Sequence, residues 1–136
     1  MDNKYVLIVD EAMSPGAIAN TAAVLSASVG RLRPDMIGRD LPDSGGWLHR
    51  GITTIAIPVL RGNASLLKRM RRQLKEFEPD LLVVDLISAT RITRSYQEYA
   101  TVLRETPEEA LEYFGLALYG DRKTINSLTG SLGLLR

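Results

Sequence analysis

Two short runs constrain this chain more than anything else in it: YVLIV at residues 5 to 9 and LLVV at 81 to 84, each an unbroken apolar row closed by an aspartate. A strand with one wet face alternates polar and apolar residues. A continuous run rich in β-branched residues suits a strand buried on both faces, as in sheets covered by helices on either side. The chain is therefore expected to be an α/β protein, a three-layer α/β/α sandwich around about four strands. Its 136 residues, 45% of them hydrophobic, fit a single domain over 1–136.

The segments between the runs carry helical signals. After Ser14-Pro15-Gly16, the residues Ile18, Ala22, Leu25 and Val29 recur at near-helical spacing. Ala19, Ala23 and Ser26 offer a small face for close packing on the sheet, Pro15 suits a first helical turn, and Gly30 is the expected stop. Residues 30–51 are rich in glycine, hold two prolines and have no run long enough for a core element. They read as an irregular flap or a small hairpin insertion, in which MIGRDL and WLHRGI flank a PDSG turn and Trp47 is the only tryptophan. ITTIAIPV at 52–59 is the next expected strand, with Pro58 marking its end or an edge position.

Asn63 then caps a helix whose stripe is Leu66, Leu67, Met70, Leu74 and Phe77. Residues 61–75 also hold Arg61, Lys68, Arg69, Arg71, Arg72 and Lys75 without an acid. Such a run either contacts phosphates, with RNA contact through Lys68, Arg69 and Arg72, or forms a solvated face. Beyond the third strand, residues 87–106 predict a loop and then a helix. Thr106-Pro107-Glu108-Glu109 suggests the opening of another short helix, YFGLALYG the last strand, and Asp121 the cap of a final helix stopping at Gly130.

Composition excludes several classes. With 17 Lys+Arg against 16 Asp+Glu, no global charge draws the chain to nucleic acid or an anionic membrane. The absence of cysteine removes thiolate chemistry and disulfides and suits a reducing compartment. His49 is the lone histidine, so a multi-histidine metal site is excluded; a site for Mg²⁺ on Asp10, Glu11 and Asp85 is a weak signal, and no required metal or cofactor is expected. No apolar stretch approaches the ~18 residues of a membrane span. The expected location is the cytoplasm.

At this point the residues carry a resemblance. VDEAMSPGAIANTAAVL, GITTIAIPVL, LLVVD and ALYGDRKTINSLTGSLGLLR are similar, along nearly the whole chain, to the DUF2000 family of proteins of unknown function. The opening KYVLIVDEAMSPGAIANTAAVLSASVG and the closing LALYGDRKTINSLTGSLGLLR resemble the two ends of type 2 peptidyl-tRNA hydrolases. That second resemblance implies a mixed four-stranded sheet between helices, commonly in a homodimer, and cleavage of the ester joining a peptide to its tRNA. The hydrolase loop carries an essential lysine with a second lysine nearby. The matching Ser14-Pro15-Gly16-Ala17-Ile18 supplies neither, and Thr90-Arg91 only loosely echoes the hydrolase stretch that follows the acid matched by Asp85.

Ligands in open α/β sheets sit at the carboxyl ends of strands, where Asp10 and Asp85 are expected. Either carboxylate, or Glu11, is a candidate base on a water, Ser14 or Thr90 a candidate hydroxyl, and the helix start at Gly16 and Ala17 a source of backbone N–H groups. The alternative is that Asp10 and Asp85 cap loops or pair with Arg91 or Arg94. The favoured expectation is a binding domain: a cleft between the Ser14–Ala17 loop, Asp85 and the Tyr119–Lys123 turn, with Asn20, Thr90 and Arg91, holding a small anionic or nucleotide-like ligand. A divergent ester or amide hydrolase, and a tRNA-binding or structural homodimer using the flap or the Leu128–Leu135 tail, are the other two readings.

Overall fold

A computed structural model describes residues 2–136. In chain order the elements are β1 (Asn3–Asp10), α1 (Pro15–Leu32), β2 (Leu41–Pro42), β3 (Leu48–His49), β4 (Val59–Gly62), α2 (Ala64–Leu74), β5 (Leu82–Ile87), α3 (Tyr96–Glu105), β6 (Tyr113–Asp121) and α4 (Arg122–Thr129). The main sheet has the order β4-β1-β6-β5 and is mixed. β4 runs parallel to β1, and β6 runs antiparallel to both β1 and β5. The carboxyl ends of β1, β4 and β5 therefore point to one end of the sheet.

Alternation along β1 divides the core. Val6 and Ile8 face one layer with Leu67, Met70 and Leu74 of α2 and Ile125 of α4, while Tyr5 and Leu7 face the other with Leu25 and Val29 of α1. Both faces of β1 are covered, so Tyr5 to Val9 are at most 2% exposed. Ser14 caps α1 by accepting from the N–H of Ala17, and Asn63 caps α2 through Leu66. Asp121 caps α4 through Thr124.

Several sequence expectations need correction. The strand expected at 52–59 is only Val59–Gly62. Pro58 precedes it rather than ending it, and the Pro58 carbonyl accepts from the N–H of Leu7. Ile55 and Ile57 still pack into the α1 layer, which explains their apolar character without a strand. Gly30 does not stop α1, which continues to Leu32; Pro34 ends it by forcing Arg33 out of helical geometry, at φ −134 and ψ 64. Ala19 and Ala23 face solvent, and the packed stripe is Thr21, Leu25 and Val29. The helix opened by Thr106 is a single 3₁₀ turn, Glu108–Ala110, because Thr106 instead donates its hydroxyl to the Val102 carbonyl at the end of α3. Arg61 lies in β4, outside the basic helix.

The flap contains a hairpin, β2 with β3, pairing Leu41 with His49. Two aspartates brace it. Asp43 accepts from the N–H groups of Gly45 and Trp47 and meets His49 Nε2 at 2.9 Å. Asp40 accepts from Gly51 N–H and Arg50. Two-residue strands have little stability alone, so these carboxylates set the turn. Its apolar side chains project outward, with Trp47 79% exposed.

Candidate functional site

The helix α1 starts at the carboxyl end of β1 and crosses back over one face of the sheet. Its residues Ala17, Asn20, Thr21 and Val24 recur at the i, i+3, i+4, i+7 spacing of one helical face. Beside them β5 ends at Ile87 and a 3₁₀ turn, Ser88–Arg91, follows. The hydroxyl of Thr90 donates to the Ile87 carbonyl at 3.1 Å, which fixes the turn. Together with Leu86 and Phe114 these residues line a cavity of about 300 Å³.

Arg91 is the cation of this cavity. Its guanidinium lies 4.8 Å from the centre of the Phe114 ring, an attraction between a cation and the negative face of the ring. Among the described residues Arg91 has no carboxylate within salt-bridge reach, and neither does Arg94. An arginine held by a ring rather than by an acid keeps all its N–H donors free for a carboxylate or phosphate.

A second cavity of about 520 Å³ adjoins the first, sharing Val24, Leu86 and Thr90. It extends along Val84 and Asp85 of β5, past Ser28, to Arg94, Ser95, Tyr96 and Tyr99. The Tyr96 and Tyr99 rings lie 5.9 Å apart. Burial and then the Asp85 charge push the Tyr99 phenol up, so it stays protonated at neutral pH and offers a donor.

The structure brings some of the expected site residues together and separates others. Ala17, Asn20, Thr90 and Arg91 line one cavity. Ser14 and Gly16 are not among the lining residues; they precede Ala17 at the start of α1, where the Ser14 hydroxyl already accepts from the Ala17 N–H, leaving Gly16 as the freer backbone donor. The expected cleft reaching to Tyr119 and Lys123 does not form. Tyr119 pairs with Tyr5, five residues back from Asp10 and so roughly 17 Å along the strand toward the opposite end of the sheet. There Tyr119 packs beneath Arg33, 5.7 Å from its ring, and Lys123 sits in the first turn of α4.

Asp10 and Asp85 do not converge either. Leu116 of β6 lies between Ile8 and Asp85 in register, so Asp10 is two strands away and two residues further along. Asp10 accepts from Ala12 N–H in its own turn. Asp85 points to the α2 layer, where Arg71 Nε donates to it at 2.7 Å and the same guanidinium reaches Glu78 at 2.7 Å. Burial would push the Arg71 guanidinium down, but its bonds to Glu78 and Asp85 outweigh that and hold it up. Asp85 pairs with an arginine, but with Arg71 rather than Arg91 or Arg94. No three acidic or histidine side chains gather into a metal-binding group among the described residues.

The basic helix is largely neutralised by its neighbours. Lys68 meets Glu112 at 3.3 Å, Lys75 meets Glu108, and Arg72 lies 4.0 Å from Glu108. Of the three residues expected to contact RNA, Arg69 alone lacks an acidic neighbour among the described residues. Sequence reasoning missed Val24, Ser28, Leu86, Phe114, Tyr96 and Tyr99 in the groove. Val24 and Ser28 were legible, because they continue the Ala17–Asn20 face at helical spacing. Phe114 was not, since only strand pairing places it beside the turn after β5.

A family model described as a protein of unknown function (DUF2000) matches residues 3–136. A solved structure of a protein of unknown function from Agrobacterium tumefaciens superposes with a TM-score of 0.87 at 19% identity, covering 98% of each chain. The curated proteins contain no match. No helix among the described residues is long and apolar enough to cross a membrane.

Proposed function

The chain belongs to the DUF2000 family of proteins of unknown function, and from that premise we propose that it is a binding domain for a small anionic ligand with a flat or apolar body. The observation that carries this is Arg91, without an acidic partner among the described residues and held over Phe114 beside an apolar cavity. The anion meets Arg91, with Asn20 and the Gly16 N–H at the rim, and the body of the ligand rests on Val24, Leu86 and Phe114. We read the scaffold as peptidyl-tRNA hydrolase type 2-like, on the strand-loop-helix opening and the closing helix that carry that resemblance.

A hydrolytic use of this scaffold is less well supported. The Ser14–Ile18 loop has no lysine, Asp10 is engaged by Ala12 and Asp85 by Arg71. The flap favours a second assignment, a homodimer contact, since Trp47 and Leu48 are 79% and 67% exposed on a braced turn. Sedimentation of Trp47→Ser against the wild type checks it, and a wild type monomeric at high concentration removes it.

The test of the ligand reading is titration with inorganic phosphate and nucleoside monophosphates, followed by amide chemical shifts. Saturable shifts at Ala17, Thr90 and Phe114 are expected, weakened roughly tenfold or more in Arg91→Ala, the scale of a charged hydrogen bond. Absence of shifts at low salt and millimolar ligand sinks the reading.

A further inference from the structure

The two outer strands of the sheet are treated differently. The outer edge of β4 is covered by the chain's own tail: Arg61 N–H donates to the Gly133 carbonyl and Leu135 N–H to the Val59 carbonyl, both at 2.8 Å, with Leu134 bridging Leu60. β5 pairs with β6 alone, and its other edge has no strand or tail against it among the described residues. Leu82, Val83, Val84 and Asp85 are accordingly half-buried, whereas the equally apolar β1 is fully covered. An open edge presents a row of unpaired N–H and C=O groups, which bind an extended chain.

What surrounds this edge selects the occupant. The 520 Å³ groove runs beside Val84, Asp85 and Leu86, with Val24 and Leu25 on one flank and Tyr96 and Tyr99 on the other. Asp85 turns its charge away to Arg71. At the carboxyl end of β5 the groove meets Arg91 and Arg94, both without acidic partners among the described residues, and opens into the smaller Phe114 cavity. A ladder edge, two free guanidinium groups at one end and an apolar cavity beyond match an extended peptide that ends in a free carboxylate and an apolar last residue.

We propose that the β5 edge binds the C-terminus of an extended peptide by strand addition, parallel to β5, with the terminal carboxylate on Arg91 and Arg94 and the last side chain in the Phe114 cavity. This deepens the ligand reading above and rests on it for the role of Arg91. The parallel direction follows from the position of the guanidinium groups beyond the carboxyl end of β5. The backbone ladder supplies affinity and the terminal cavity supplies selectivity.

The experiment uses the full chain and a fluorescein-labelled hexapeptide of alternating threonine and valine ending in valine. Three versions are compared by anisotropy: free carboxylate, C-terminal amide, and free carboxylate with alternate backbone N-methylation. The proposal expects the free carboxylate to bind at least tenfold tighter than either other form, and Arg91→Ala with Arg94→Ala to abolish that preference. Hydrogen exchange at the Val83 and Asp85 amides, which the register turns away from β6, is expected to slow at least tenfold with the peptide. Equal binding of amide and carboxylate, indifference to N-methylation, or unchanged exchange at β5 each overturns it. If the peptide fails while phosphate or a nucleoside monophosphate still shifts Thr90 and Phe114, strand addition is wrong and the anion site stands. Failure of all probes removes both, and a dimer whose β5 amides are protected without peptide assigns the edge to a second copy and overturns the peptide proposal.

Discussion

The Asp121 carboxylate accepts from both the N–H and the hydroxyl of Thr124, each at 3.0 Å, and these bonds hold it below its ordinary value of 3.8. A depressed folded pKa means that the unfolded chain binds protons first as acid is added. The capping contribution is therefore complete above the ordinary value and is lost as pH falls through the lowered one. Asp121→Asn is expected to flatten the acid side of a stability–pH curve measured by urea unfolding; an unchanged curve would show that the cap does not couple to folding. Arg71 carries more. It bridges α2 to β5 and to Glu78 with its side chain 14% exposed, so Arg71→Ala leaves two carboxylates without their cation and is expected to cost about 3 kcal/mol, at the lower end for a broken buried pair. Asp85→Asn, which keeps an acceptor in place, should cost about 1 kcal/mol by the same assay. Tyr5→Phe tests a simpler bond, the 2.8 Å contact to Ser26, and is expected to lose about 1 kcal/mol.

At the scale of elements, the site exists because α1 lies close on the sheet. A Cβ on Gly115 would come within 2.8 Å of Thr21 Cγ2 and 3.0 Å of the Ile8 carbonyl oxygen, so glycine at this position lets the helix seat. Gly115→Ala is expected to lift α1 and cost about 1–3 kcal/mol, the range for overpacking, and to disturb Phe114 next to it. Thermal unfolding with amide shifts along α1 checks both effects. The same scale explains where sequence patterns misled. ITTIAIPV has the composition of a strand, yet only its last residue enters one, because Ile55 and Ile57 are half-buried by packing against the α1 layer rather than by a strand ladder. The Asn63 and Asp121 caps, by contrast, were readable, since each is a short polar side chain standing directly before a helical stretch.

For the whole molecule, the tail that closes the β4 edge is a stabilising strap and a guard. Deleting residues 133–136 removes two backbone bonds, which suggests a loss of about 2 kcal/mol, and leaves a second open edge. Calorimetry should show the lower Tm, and sedimentation should show self-association beyond that of the full chain; a deletion that is silent in both would mean the strap is ornamental. The α/β class, the two-sided burial of YVLIV and the helix caps were determined by sequence alone, because each depends on periodicity or on hydrogen bonds within a few residues. The pairing of β6 with both β1 and β5 decided the rest. It put Tyr119 and Lys123 at the far end from Ser14, kept Asp10 apart from Asp85, and brought Phe114 under Arg91. Those outcomes depend on strand order and register, contacts between residues scores of positions apart that no local pattern encodes.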